Sequence, residues 1–132
     1  MAQPIELILV RHLASRLTIP TLLTDVEGTL VFYNEAAEPL LGRRFDEAGE
    51  MAFDEWTSAY AVRDESGQLV RSEQIPLVRA LRSRRPIHVR IEIIGLDGTP
   101  RMLEVSAFPL VGQGDQRLGA VTFFWESQAE ER

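Results

Sequence analysis

Cysteine and lysine are both missing from the 132 residues. Without a thiol there is no disulfide, no thiolate metal site, no cysteine nucleophile and no flavin adduct through sulfur. Without lysine there is no Schiff base and no phosphate-loop ammonium. Only two histidines occur, His12 and His88. A single imidazole without nearby partners is a poor metal site, so no metal is expected. No apolar run reaches the roughly 18 residues that a membrane span needs. The leading stretch MAQPIELILVRHLASRL lacks a basic lead, carries Glu6 ahead of its apolar part and is interrupted by Arg11 and Arg16. It does not read as a secretion signal, and the cytoplasm is the expected location. Nucleophile-elbow, phosphate-loop, dinucleotide, zinc-protease and calcium-loop signatures are also missing, so no enzyme is expected.

What is present is an ordinary globular composition, 45% hydrophobic and 26% charged. The length suits one domain with one core. Fourteen arginines face twenty acidic residues, for a net charge of −6. That balance argues against a nucleic-acid surface, which needs a positive face. Arg79, Arg82, Arg84 and Arg85 form the one basic cluster. It reads as a solvated helix end near the negative pole of the helix dipole. Asp46, Glu47, Glu50, Asp54 and Glu55 read as a solvated acidic segment; nothing in the pattern argues for a buried carboxyl pair.

Periodicity gives the elements. Residues 4–17 predict a helix: Pro4 suits a first turn, and Ile5, Leu9, Leu13 and Leu17 recur every four residues. Residues 21–26 and 29–33 predict a hairpin turned by Glu27-Gly28. Asn34 is a helix N-cap, Ala37, Leu40 and Leu41 share a face, and Gly42 is a stop. Pro39 lies past the tolerated first turn, which predicts a short or bent helix. Residues 43–63 mix acidic and aromatic side chains without long periodicity; one or two helical turns fit around Phe53 to Tyr60. Pro76 opens a helix over 76–84 that shows Leu77, Val78 and Leu81 on one face. Residues 87–94 alternate as a strand, with Ile87, Val89, Ile91 and Ile93 on one side and His88, Arg90 and Glu92 on the other. Asp97-Gly98 turns into a strand over 101–109, which sets Leu103, Val105 and Ala107 on one face. Residues 118–125, LGAVTFFW, are apolar on both faces, as in a central strand covered twice. Hairpin-linked strands apart from the helices imply an α+β domain on an antiparallel sheet.

With TDVEGTLVFYNEAAEPLLGR leading, and Asp25, Gly28, Asn34, Ala36, Ala37, Leu41 and Gly42 at matching places, the order of elements resembles a PAS domain. DESGQLVRSEQIPLVRALRSRRP is similar to that family's last helix before the sheet resumes. GLDGTPRMLEVSAFPLVGQGDQRLGAVTFFWE is similar to its final three strands. On this resemblance residues 1–17 are an amphipathic N-terminal helix, 18–126 the PAS domain and 127–132 a charged tail. It implies a five-stranded sheet in the order 2-1-5-4-3. Short helices on one face would enclose a pocket, and the N-terminal helix would lie on the other. Two departures stand out. The usual exit motif, Asp, a β-branched residue and Thr, is replaced by WESQ (Trp125 to Gln128). The flavin-adduct cysteine and a haem histidine on the helix before the sheet are absent, so neither haem nor flavin is expected.

The resemblance places Met51, Trp56 and Tyr60, with Phe53, at the roof of the pocket. These rings either stack on a ligand or fill the core of a ligand-free domain. Leu77, Leu81, Val89, Ile91, Leu103 and Val105 would complete an apolar lining. Ile5, Leu9, Leu13 and Leu17, with Phe124 of the last strand, would form a dimer interface. His12 reads as a surface or interface residue, and His88 as a surface polar contact. The expected function is a signal-sensing module that binds a small, mostly apolar ligand and shifts between two populations. It would signal as a homodimer to an unidentified signalling protein. The alternative is a ligand-free dimerisation or protein-interaction module.

Overall fold

A computed structural model describes residues 4–127. Residues 128–132 of the predicted tail, with the Gln128 of the exit segment, lie outside the described residues. Helix α1 spans Ile5–Ala14. Strands β1 (Thr21–Thr24) and β2 (Leu30–Tyr33) follow. A 3-10 turn at Glu35–Ala37 leads into α2 (Glu38–Leu41), then α3 (Phe45–Ala48) and α4 (Phe53–Tyr60). After a second 3-10 turn at Ser72–Gln74 come α5 (Pro76–Ser83), β3 (Ile87–Ile94), β4 (Pro100–Val111) and β5 (Arg117–Glu126).

All strand pairs are antiparallel, in the order β2-β1-β5-β4-β3. The last strand is therefore the middle one, as its doubly apolar sequence predicts. Alternation along β5 divides its side chains between two cores. Ala120 and Phe124 join the larger core with Leu22, Leu30, Trp56, Leu77, Leu103 and Val105 under the short helices. Val121 joins Leu7, Leu23 and Val31 beneath α1. Each buried Leu, Val or Phe among these contributes roughly 2 kcal/mol.

Helix α1 stops three residues before the predicted end. Ile19 precedes Pro20, which disfavours helical backbone there. The Ala14 carbonyl also receives the Asn34 side chain at 2.9 Å, beside the Leu17 N–H at 3.1 Å that tightens the last turn. The Ile5-Leu9-Leu13 stripe faces away from the sheet, and each member is at least 60% exposed. Leu7 and Ala14, seven residues apart, face inward instead. Arg11, predicted as part of the polar remainder, lies over the Phe32 ring at 4.6 Å, a cation–π contact. Pro39 is accommodated because the helix restarts: it falls in the first turn of α2. Gly42 then closes α2 with φ +85, its Cα backed against the Asp97 backbone, so that a side chain has neither the conformation nor the room.

Asn34 holds these parts together. It is 1% exposed. Its Oδ1 accepts from the Thr21 N–H at 3.0 Å and the Ala37 N–H at 3.1 Å. Its Nδ2 donates to the carbonyls of Ala14 and Ile19, both at 2.9 Å. Two N–H groups on one side and carbonyls on the other fix the orientation of the amide. Asn34→Asp keeps the acceptor but sets a second oxygen against two carbonyls. We expect a loss of about 3 kcal/mol, with amide exchange accelerated in α1 well beyond that in β4 and β5. Uniform acceleration across all elements would contradict the assigned role.

Candidate functional site

Between α4, α5 and the inner face of the sheet lies an apolar cavity of ≈ 60 Å³. Trp56 and Tyr60 roof it from one side of α4, four residues apart and both buried. Trp56 is held by its Nε1–H, which donates to the Gly28 carbonyl at 2.8 Å. Edge-on contact with Phe53 at 5.6 Å supports the same ring. Leu77 and Pro76 close the α5 side, and Ile91, Ile93, Leu103 and Val105 form the floor.

Of the residues predicted to meet a ligand, Trp56, Tyr60, Leu77, Ile91 and Val105 come together here, and Leu103 with them. Met51 and Leu81 do not line the cavity. The Met51 backbone pairs with Leu30 at the sheet edge, which sets its side chain in the core beside the cavity instead. The sheet-facing line of α5 passes through Leu77 and Ala80. Leu81 lies about 100° further round and turns to an outer cleft. Val89 likewise faces a surface cleft.

The interface prediction for Phe124 is corrected. Phe124 is 2% exposed and lines the cavity, on the opposite face of β5 from α1. In a strand apolar on both faces periodicity gives no inward parity. The one polar member, Thr122, faces the cavity rather than solvent. Leu17 is half-buried. Leu22, Leu41, Val62, Ile75 and Thr122 also line the cavity and were not singled out by sequence. Val62 and Ile75 sit in irregular segments where no period marks them.

One polar group of a lining residue, the Thr122 Oγ1, has no hydrogen-bond partner among the described residues, while the Tyr60 hydroxyl lies beside that of Tyr33. Leaving a buried hydroxyl unpaired costs on the order of 1–3 kcal/mol. The Tyr60 phenol is pushed far above its ordinary value of 10.0, first by burial and then by the neighbouring Tyr33 phenol. Tyr33 is raised too, chiefly by burial, and donates its hydroxyl to the Arg43 carbonyl at 2.7 Å. Both tyrosines therefore stay neutral at any physiological pH.

The histidines lie elsewhere. His12 is exposed on α1. His88 is on the outer face of the sheet, 3.1 Å from the Glu104 carboxylate and stacked near Trp125. Glu104 is held below the usual carboxylate range, first by Arg90 and also by His88 and Ser127. The acidic residues 46, 47, 50, 54 and 55 are exposed. Among the described residues no group of three or more His, Asp or Glu could hold a metal ion. Nor is any described helix long and apolar enough to cross a membrane.

Comparison with known proteins gives a consistent result. A family model described as PAS fold matches residues 15–132. No curated protein matches the sequence. Among solved structures, a PAS domain from Colwellia psychrerythraea is similar with a TM-score of 0.65 at 18% identity, over 91% of this chain and 97% of that one. The PAS domain of nitrogen regulation protein NR(II) from Vibrio parahaemolyticus gives 0.63 at 19% identity, over 90% and 98%. The PAS domain of Bordetella pertussis BvgS gives 0.60 at 15% identity, over 94% and 87%.

The tyrosines carry a pH prediction. Their native pKa values lie above the unfolded value, so the native state retains protons that the unfolded chain loses above pH of about 10. Stability is unaffected below that point and falls as pH rises through it. Tyr60→Phe should flatten this alkaline decline, read from urea unfolding at pH 7 and pH 10.5. An unchanged alkaline slope would show that Tyr60 ionises in the native state as it does in the unfolded chain.

Proposed function

This chain belongs to the PAS fold family of sensory modules, and from that premise we propose that it binds a small, mostly apolar ligand in the cavity under Trp56 and Tyr60. The observation that supports this most is an apolar lining that includes one unpartnered hydroxyl, that of Thr122. A ligand with an alkyl or aryl body and one hydrogen-bonding group would bury its body against Leu77, Ile91 and Val105. Its polar atom would meet Thr122, replacing an unpaired hydroxyl with a satisfied one. At ≈ 60 Å³ the space is well below the roughly 300 Å³ that drug-sized ligands occupy. The ligand is therefore compact, or it opens α4 away from the sheet as it enters.

Neither haem nor flavin is proposed. No histidine or cysteine lines the cavity, so there is neither an iron ligand nor a thiol for an adduct. The purified protein is expected to be colourless. No catalytic role is proposed.

Signalling would run through α1. Ile5, Leu9 and Leu13 are exposed apolar side chains on one stripe, suited to pairing with a second copy. Asn34 links the base of α1 to the start of the helical cap, so a shift in the cap bears on the pairing helix. A ligand favouring one cap arrangement would shift the population of the dimer. The dimer would report to a signalling protein in the cytoplasm. The small cavity also favours a second reading, a ligand-free module that works through α1 contacts alone.

Thermal-shift screening of small alcohols, ketones and phenols separates the two readings. The ligand reading expects a saturable rise in Tm, abolished by Ile91→Phe, which fills the cavity. No shift across the series leaves the ligand-free reading. The double variant Leu9→Glu, Leu13→Glu should sediment as a monomer with Tm nearly unchanged, because both residues are exposed. A dimer of unaltered mass would remove α1 from the interface.

A further inference from the structure

Charge is segregated along this chain. Residues 71–90 hold six arginines (71, 79, 82, 84, 85 and 90) and one acid, Glu73, for +5, so the remainder carries −11 of the net −6. Arg79, Arg82, Arg84, Arg85 and Arg117 are all exposed, and none is in an ion pair among the described residues. Arg84 donates to the Asp115 carbonyl at 2.9 Å, which pins the end of α5 against the β4–β5 connection. Arg117, which opens β5, is thereby brought to the same end of the molecule. A positive pole of this size is more than a solvated helix end needs.

Arg82 and Arg117 of this pole line an open cleft of ≈ 550 Å³ whose wall is part apolar and part polar. Val78, Leu81 and Arg82, spaced i, i+3 and i+4 on α5, form one wall. The β1–β2 turn at Val26, with Phe53 and Arg117, forms the other. Val26 is 50% exposed. Two carboxylates also touch the cleft, Glu27 and Glu73. Glu73 precedes α5 and Arg82 lies in its last turn, so this wall runs from negative to positive along the helix. Leu77 is common to this cleft and to the internal cavity. Ligand entry that moves Leu77 therefore moves a wall of the cleft.

We propose that this cleft and its arginine rim are the docking surface for an acidic, amphipathic segment of a partner protein. Apolar side chains of the segment would enter between Val26, Val78 and Leu81. Its carboxylates would pair with Arg82 and Arg117 on the cleft and with the exposed Arg85 just past α5, whose forked guanidinium groups suit bidentate carboxylate contacts. Nucleic acid is disfavoured: a polyanion extends past the roughly 8 Å screening length and meets the −11 elsewhere on the chain. The inference rests on the reading of the chain as a signalling module with a protein partner, and it names that partner's chemistry.

The test uses the full chain and a fluorescein-labelled twelve-residue peptide of glutamate and leucine, followed by anisotropy. A lysine–leucine peptide and a 20-base-pair DNA duplex serve as comparisons. The glutamate–leucine peptide should bind. Arg82→Glu with Arg85→Glu should weaken it at least tenfold, as should Val26→Asp and a rise in salt from 50 to 300 mM. The proposal is overturned by absence of peptide binding, by binding indifferent to the reversals, or by tighter binding of DNA. Both arginines are exposed and off the cavity, so the Tm and dimer mass of the double variant should match the parent. Small-molecule thermal shifts and sedimentation on that variant then report on the cavity and on α1 independently of this surface.

Discussion

A single buried amide sets the layout of this molecule. Asn34 sits where the hairpin ends and the helical cap begins, and it meets the backbone of three separate segments. An isolated buried amide would be costly. Here each of its polar atoms is met by main-chain groups at a helix end, a strand start or a turn. Because the donors lie on one side and the acceptors on the other, the arrangement specifies where α1 must stop and which face of the sheet the cap must take. Replacing such a group with an apolar residue would remove that specification together with the bonds.

The second constraint is the central strand. β5 is paired on both edges, to β1 and β4, and buried on both faces. Its alternation sends Val121 toward α1 and Thr122 and Phe124 toward the cap. The cavity and the outer helix thus lie on opposite sides of one strand. No long route is needed between a ligand and the exposed stripe of α1. The same economy holds at Leu77, which belongs to the inner cavity and to the outer cleft at once.

Much of the architecture was legible because it is written in local periods. Residues 87–93 alternate apolar and polar without a break, and β3 runs over 87–94 as predicted. Asn34 followed by Glu-Ala-Ala reads as a cap and is one. What escaped depends on contacts far apart in sequence. α3 is a single turn with no periodicity, held by the Glu38 carboxylate on the Phe45 N–H at 3.0 Å and by edge-on packing of Phe45 against Tyr33 and Phe32. The donors of Asn34 reach carbonyls 15 and 20 residues earlier. The inward parity of β5 was hidden because both of its faces are apolar. Five of the seven proposed ligand contacts line the cavity. The two that do not, Met51 and Leu81, are displaced by a backbone pairing and by a helix rotation that spacing alone does not fix.

The central claim is that the space under Trp56 is a receptive apolar cavity and not the edge of a packed core. A crystal pressurised with xenon tests this most directly, since xenon enters dry apolar cavities without chemical demands. The account predicts a xenon atom between Trp56, Leu77, Ile91 and Thr122. Side chains closed over that position, with xenon bound elsewhere or not at all, would contradict it.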